Sequence, residues 1–223
     1  MSFEESLDPA STPWIWLDLD DTLWDFRRNS LDTLREFYEV HGLSRLWPDE
    51  DSWIDSYHAV NAGLWERYSR GEIDEGFLRM ERFRVPLTEA GMPDDEARRL
   101  SVFFDTDYLE RLASRSRLVP GARELLDRLH GRGFRLGILS NGFADTQRKK
   151  LQVSGIAHYF SHVVLSEEAG APKPSVAIFR YAEHMCGAEA RECVMIGDNP
   201  STDIAGALAA GWRACLISDI LGM

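Results

Sequence analysis

The sequence is short of cysteine, of positive charge and of long apolar runs. Cys186, Cys193 and Cys215 are its three cysteines, an odd number at spacings that match no zinc or redox motif. They give no disulfide framework and suit a reducing cytoplasm, the expected location. Lys and Arg number 25 against 37 Asp and Glu, for a formal net charge of −12. A nucleic-acid polymer or an anionic membrane needs a basic face, so neither is an expected partner. No uninterrupted apolar segment is long enough to span a bilayer. Residues 1–13 are acidic, carry Ser, Thr and Pro, and lack the apolar stretch of a signal peptide; they read as a flexible tail. No Gly-x-x-x-x-Gly-Lys-Ser/Thr phosphate loop occurs. Ser140 follows Ile138-Leu139, so it is no Gly-x-Ser-x-Gly elbow. His158 and His162 flank Tyr159-Phe160, which reads as a packed turn and not a zinc pair.

What is present is a chain of 223 residues, 44% hydrophobic, enough for one large domain or a core with an inserted module. The carboxyl-terminal half alternates short apolar runs with helical patterns. The runs are Phe134 to Leu139, Val163 to Leu165, Cys193 to Ile196 and Ala214 to Ile217. Helical stretches lie between them, at Ala122 to His130, Ala144 to Val153, Ser175 to Cys186 and Ile204 to Ala210. Such alternation predicts βαβ units, and continuous hydrophobicity predicts strands covered on both faces. The expected fold is α/β, a Rossmann-like parallel sheet with helices on both faces. Trp14-Ile15-Trp16-Leu17 supplies the first strand. Between Trp24 and Ser114 no comparable strand occurs, and four segments carry apolar residues at helical spacing. The division is therefore a core of 14–23 and 115–223 and a helical cap of 24–114.

Four polar clusters each follow a predicted strand, at the edge where open parallel sheets bind ligands. Asp18 and Asp20 stand two residues apart behind the first strand, with Asp21 beside them. Carboxylates so crowded repel one another unless something positive is bound. Ser140-Asn141-Gly142 follows the second run and offers a hydroxyl and backbone amides to a phosphate oxygen. Lys173, between Pro172 and Pro174, follows the third and offers a point charge. Asp198 and Asp203 follow the fourth and suit a hard-oxygen site for magnesium. Taken singly these read as a helix cap, a turn, a surface lysine and a loop. Their order after successive strands points to magnesium-dependent phosphoryl transfer.

With those residues in place, the chain resembles the haloacid dehalogenase superfamily of phosphohydrolases, over Trp14 to Trp24 and Val119 to Ile217. The segment Ala59-Val60-Asn61-Ala62-Gly63-Leu64-Trp65, with Ser140-Asn141-Gly142-Phe143 and Ser166-Glu167-Glu168-Ala169-Gly170, is similar to the pyrimidine 5′-nucleotidase branch. The resemblance implies that Asp18 is the nucleophile and Asp20 the general acid and base. It implies magnesium (Mg2+) held by the Asp18 carboxylate, the Asp20 backbone carbonyl and Asp198, with Asp203 orienting metal-bound water. Ser140, Asn141 and Lys173 would hold the phosphoryl oxygens. Cap residues would choose the substrate: Trp24, Trp53, Trp65 and Tyr68 are candidates to stack on a base, Trp65 first because it lies in the nucleotidase-like segment. Against this stands the plainer reading of helical aromatics as core. The expected partner is a small phosphorylated substrate, a nucleotide; the sequence leaves monomer and dimer both open.

The alternatives are a sugar-phosphate phosphatase or phosphomutase of the same fold, a 2-haloacid dehalogenase and an inactive scaffold. A dehalogenase needs no acid two residues after its nucleophile, so Asp20 argues against it. Retention of Asp18, Asp20, Lys173 and Asp198 argues against a scaffold. Members usually carry a further strand or helix beyond the region matching Ala214 to Ile217. This sequence ends at Met223, a departure that bears on the closing edge of the sheet and not on the site.

Overall fold

The computed structural model describes residues 7–222. β1 (Trp14–Leu17) is buried along its whole length, which requires a neighbour on each edge and cover on each face. Four helices follow: α1 (Phe26–Val40), α2 (Glu50–Ser69), α3 (Glu75–Glu89) and α4 (Asp94–Ala113). The chain then runs α5 (Ala122–Gly131), β2 (Arg135–Ser140), α6 (Ala144–Val153), β3 (Phe160–Leu165), α7 (Ser166–Ala169) and α8 (Val176–Cys186). It ends with β4 (Cys193–Gly197), α9 (Ala205–Ala209), β5 (Arg213–Leu216) and α10 (Ile217–Leu221). The five strands form one parallel sheet in the order β3-β2-β1-β4-β5. The expected α/β fold, a Rossmann-like sheet with a helical insert, is the fold observed.

The chain divides into two compact units, residues 1–26 with 115–223, and 27–114. In the first, Trp14 and Trp16 stack at 5.8 Å, and Trp16 meets Trp212 at 6.1 Å. Gly137 lies opposite Trp16 in β2, and a Cβ there would come within 2.6 Å of the indole. The glycine inside the strand is thus explained by a ring that fills its space. His162 packs against Trp14 at 5.2 Å, but from within β3 and not from the packed turn expected there.

Residues 7–13 are not the loose tail expected of them. Leu7 is buried, Asp8 accepts the Ser11 and Thr12 amides, and Arg132 donates to the Leu7 carbonyl at 2.7 Å. An apolar residue and a turn within an acidic stretch carry too weak a periodic signal to show this. The first six residues of that expected tail lie outside the described residues.

The second unit is α1–α4, the four helical segments read from periodicity. Phe37 packs with Phe83 at 5.6 Å and edge-on with Phe104 at 4.9 Å. Arg82 is buried there, ion-paired with Asp105 and lying over the Tyr108 ring at 5.3 Å. A buried guanidinium needs such a partner, since an unpaired one would be strongly destabilising. Burial alone would lower the Arg82 pKa, but the neighbouring Tyr57 and Tyr108 phenols and the Asp105 carboxylate outweigh it and hold the group above its ordinary range.

Candidate active site

The register explains why the four clusters meet. Leu17 pairs with Ile138 on one side and with Ile196 on the other. The residues that follow each strand therefore emerge at one sheet edge. The Asp18 amide still donates to the Ile196 carbonyl at 2.9 Å, so the carboxylate stands on a fixed backbone. Asp21 takes a left-handed φ of 56° and donates its amide to the Trp24 carbonyl at 2.7 Å. That turn folds the chain back immediately after Asp20. Trp24 itself is buried, donates from its indole to the Arg115 carbonyl and belongs to the first unit.

Lys173 is the hub of the charged centre. Its ammonium is buried and donates to Asp18 Oδ1 at 2.6 Å and to the Leu139 carbonyl at 2.8 Å. Asp203 Oδ1 lies 2.7 Å away without the alignment of a hydrogen bond, as a charge contact. Burial alone would lower the lysine pKa, but Asp18 and Asp203 override it and hold the group above its ordinary range. The loop that presents Lys173 is pinned by the Asn141 side chain. Asn141 Oδ1 accepts the Lys173 amide at 2.7 Å, and its Nδ2 donates to the Lys173 carbonyl at 2.9 Å.

Asp18, Asp198 and Asp203 each bring a carboxylate oxygen within 4.8 Å of the others. Burial, foremost, and the Asp203 and Asp198 charges push Asp18 well above the ordinary carboxylate range, although Lys173 pulls it down. Burial, then Asp203 and Asp21, push Asp198 up to about 6. One lysine does not neutralise three carboxylates, and their hard oxygens suit a small divalent cation. Asp203 is set on a widened helical turn, Pro200–Ile204, where its Oδ2 accepts the Asn199 amide at 3.0 Å. A Cβ at Gly197 would fall 2.1 Å from that same oxygen, so only glycine leaves room for it. Thr22 donates to Asp198 Oδ1 at 3.3 Å.

Asp20 faces different partners. Lys150 Nζ donates to its Oδ1 at 2.7 Å and Gln147 Nε2 to its Oδ2 at 2.9 Å. Gln147 also donates to Ser140 Oγ at 2.7 Å, and the Gly142 amide donates to the same oxygen at 3.2 Å. With two donors on its oxygen, the Ser140 hydroxyl is left to give its proton to an incoming acceptor.

The sheet edge thus brings together Asp18, Asp20, Ser140, Asn141, Lys173, Asp198 and Asp203. Gln147 and Lys150 were missed, because they look like an ordinary polar helix surface. Their only signal is a spacing of three, which puts both on one helical face. The aromatic candidates divide. Trp24 and Trp53 are fully buried and have no face for a base. Trp65 and Tyr68, on α2 of the second unit, are half-buried and pack edge to face at 5.6 Å.

A parallel sheet with carboxylates, a buried lysine and a hydroxyl at its carboxyl edge defines a hydrolase of the α/β type. The family model for haloacid dehalogenase-like hydrolases matches residues 14–211, and the chain belongs to that family. It is 32% identical to the pyrimidine 5′-nucleotidase YjjG of Escherichia coli, over 92% of this chain and 85% of that one. It is 40% identical to the phosphoserine phosphatase of Thermus thermophilus, over 70% of this chain but 63% of that relative, less than two thirds of its length. The structure of YfnB from Bacillus subtilis bound to magnesium superposes with a TM-score of 0.82 at 29% identity, covering 92% of this chain and 88% of that one. Among the described residues no helix is long and apolar enough to cross a membrane.

Proposed function

We propose that the protein hydrolyses small phosphomonoesters, a nucleoside 5′-monophosphate foremost, with magnesium and through an aspartyl-phosphate. The observation that carries this reading is the division between two neighbouring acids. Asp18 is gripped by Lys173 among the cation-ready carboxylates, while Asp20 is held apart by Lys150 and Gln147. On this reading one acid bonds with phosphorus and the other handles protons.

Lys173 engages Asp18 Oδ1, so Oδ2 is the oxygen that attacks phosphorus in line. The bond from phosphorus to the ester oxygen breaks, and Asp20 gives that oxygen its proton. Asp20 then takes a proton from water as the water attacks phosphorus, which frees inorganic phosphate and restores the Asp18 carboxylate. Ser140 and Lys173 stabilise the phosphoryl oxygens, and Asn141 keeps Lys173 in place. Asp18, Asp198 and the Asp20 backbone carbonyl would hold magnesium, with Asp203 beside them; the ion would supply positive charge to the transferring group.

The nucleotide reading draws on the likeness to YjjG and on the segment around Trp65. A second reading, an amino-acid phosphate such as phosphoserine, draws on the likeness to the Thermus phosphatase. A phosphate-release screen with magnesium across nucleoside monophosphates, phosphoserine and sugar phosphates separates them. Highest kcat/KM on a pyrimidine nucleotide is the expected result. Preference for phosphoserine or a sugar phosphate would overturn the nucleotide assignment and keep the phosphatase one. No release from any ester with any divalent ion would overturn both.

A further inference from the structure

We propose that Gln147, with Lys150 one helical turn beyond it, is a positioning residue that locks the proton-transferring Asp20 to the phosphate-holding Ser140. The inference rests on the phosphatase reading and extends it to two residues outside the expected site.

Gln147 is fully buried, and Lys150 is 2% exposed. Both lie on the face of α6 that meets the sheet edge. One amide nitrogen, Gln147 Nε2, donates to Asp20 Oδ2 at 2.9 Å and to Ser140 Oγ at 2.7 Å. Lys150 takes the other Asp20 oxygen at 2.7 Å. With each oxygen held by its own donor, the carboxylate plane is fixed against rotation. The Lys150 ammonium is in turn held over the Trp24 ring at 4.3 Å and near Phe26 at 5.4 Å.

Two further observations set this apart from ordinary packing. Gln147 Oε1 is buried without a partner among the described residues. An orphan acceptor destabilises the fold, so an apolar side chain would serve packing better. The glycine of Ser140-Asn141-Gly142 also makes room for the amide, since a Cβ at Gly142 would lie 2.4 Å from Gln147 Nε2. The turn that offers Ser140 and the helix that offers Gln147 are thus fitted to each other.

If Gln147 and Lys150 aim Asp20, their loss should fall on protonation of the leaving oxygen. An alkoxide needs that proton and a para-nitrophenolate hardly does. The test measures kcat/KM, which reports steps up to the first irreversible one, with magnesium present. It compares para-nitrophenyl phosphate with the best alkyl ester from the phosphate-release screen. For Gln147→Met we expect alkyl kcat/KM to fall about 100-fold and aryl kcat/KM about fivefold, the latter from a loosened Ser140. Lys150→Met, which touches Asp20 from its other side, should lower the alkyl-to-aryl ratio by at least about tenfold. Both substrates are read in one sample, so the ratio does not depend on the fraction folded. If one variant fails to fold, the ratio in the other decides. Equal losses on both substrates, an unchanged ratio or a gain on the alkyl ester would overturn the proposal while leaving the phosphatase reading intact. Wild-type protein inactive on both esters would remove the reading on which it rests.

Discussion

At the scale of single residues, glycine positions are as diagnostic as the charged ones. Gly197 exists because Asp203 Oδ2 occupies the space of its missing Cβ, at 2.1 Å. Gly197→Ala must push Asp203 away from Asp18 and Asp198. We expect magnesium affinity to fall at least about tenfold, measured by isothermal titration, while the sheet remains formed by circular dichroism. Affinity equal to wild type would show that Asp203 has no part in the cation site. The acids, the lysine and the serine were legible in the sequence because each follows a strand that periodicity reveals. Gln147 and Lys150 were not, because a polar residue on a helix is normally solvated, and only the tertiary fold shows these two buried. Trp24 and Trp53 follow the plainer reading of helical aromatics as core. Their chemistry suits a base, yet both rings are spent on the interior.

At the scale of elements, two joints fix the lysine loop. The first is the pair of hydrogen bonds between the Asn141 side chain and the Lys173 backbone. Asn141→Ala removes both, which should destabilise the protein by about 1–3 kcal/mol in a urea titration. It should also lower kcat/KM about 100-fold, as Lys173 loses its aim on Asp18. A stability loss with unchanged kcat/KM would contradict that coupling. The second joint is the approach of α9 to the same loop. A Cβ at Gly206 would lie 2.9 Å from the Pro174 Cα and 2.7 Å from the Phe179 ring. Gly206→Ala should therefore cost about 1–3 kcal/mol through overpacking, read as a lowered Tm. Strands and helices were legible from their periods. The joints were not, since they pair residues distant in sequence through one side chain's hydrogen bonds or one missing Cβ.

At the scale of the whole molecule, the net charge of −12 poses a question for the proposed action on anionic esters. The centre answers it locally, with Lys173, Lys150 and a carboxylate cluster suited to a cation. The cluster makes the protein pH-sensitive with a definite sign. Asp198, chiefly through burial, is pushed up to about 6, above the ordinary carboxylate range. Its folded pKa lies above its unfolded one, so the folded state favours the protonated carboxyl. Ionisation of Asp198 therefore lowers the stability of the metal-free protein as pH rises between those two values. On the proposed reading magnesium would bind the ionised form and should reverse the loss. Between pH 5 and pH 7 the ionised fraction of such a group rises about tenfold, and magnesium affinity should rise at least as much. Calorimetric melts with and without magnesium should show a Tm increment that grows over this range. An increment independent of pH would place the ion elsewhere. The central claim is that Asp18 is the group that takes up the phosphoryl. Its most direct test is phosphate release by Asp18→Asn, folded by circular dichroism, on the wild type's best substrate with magnesium. Loss of at least about 10⁴-fold, to background, is the predicted result, since phosphomonoester hydrolysis without the nucleophile is extremely slow. Turnover within about tenfold of wild type would contradict the account.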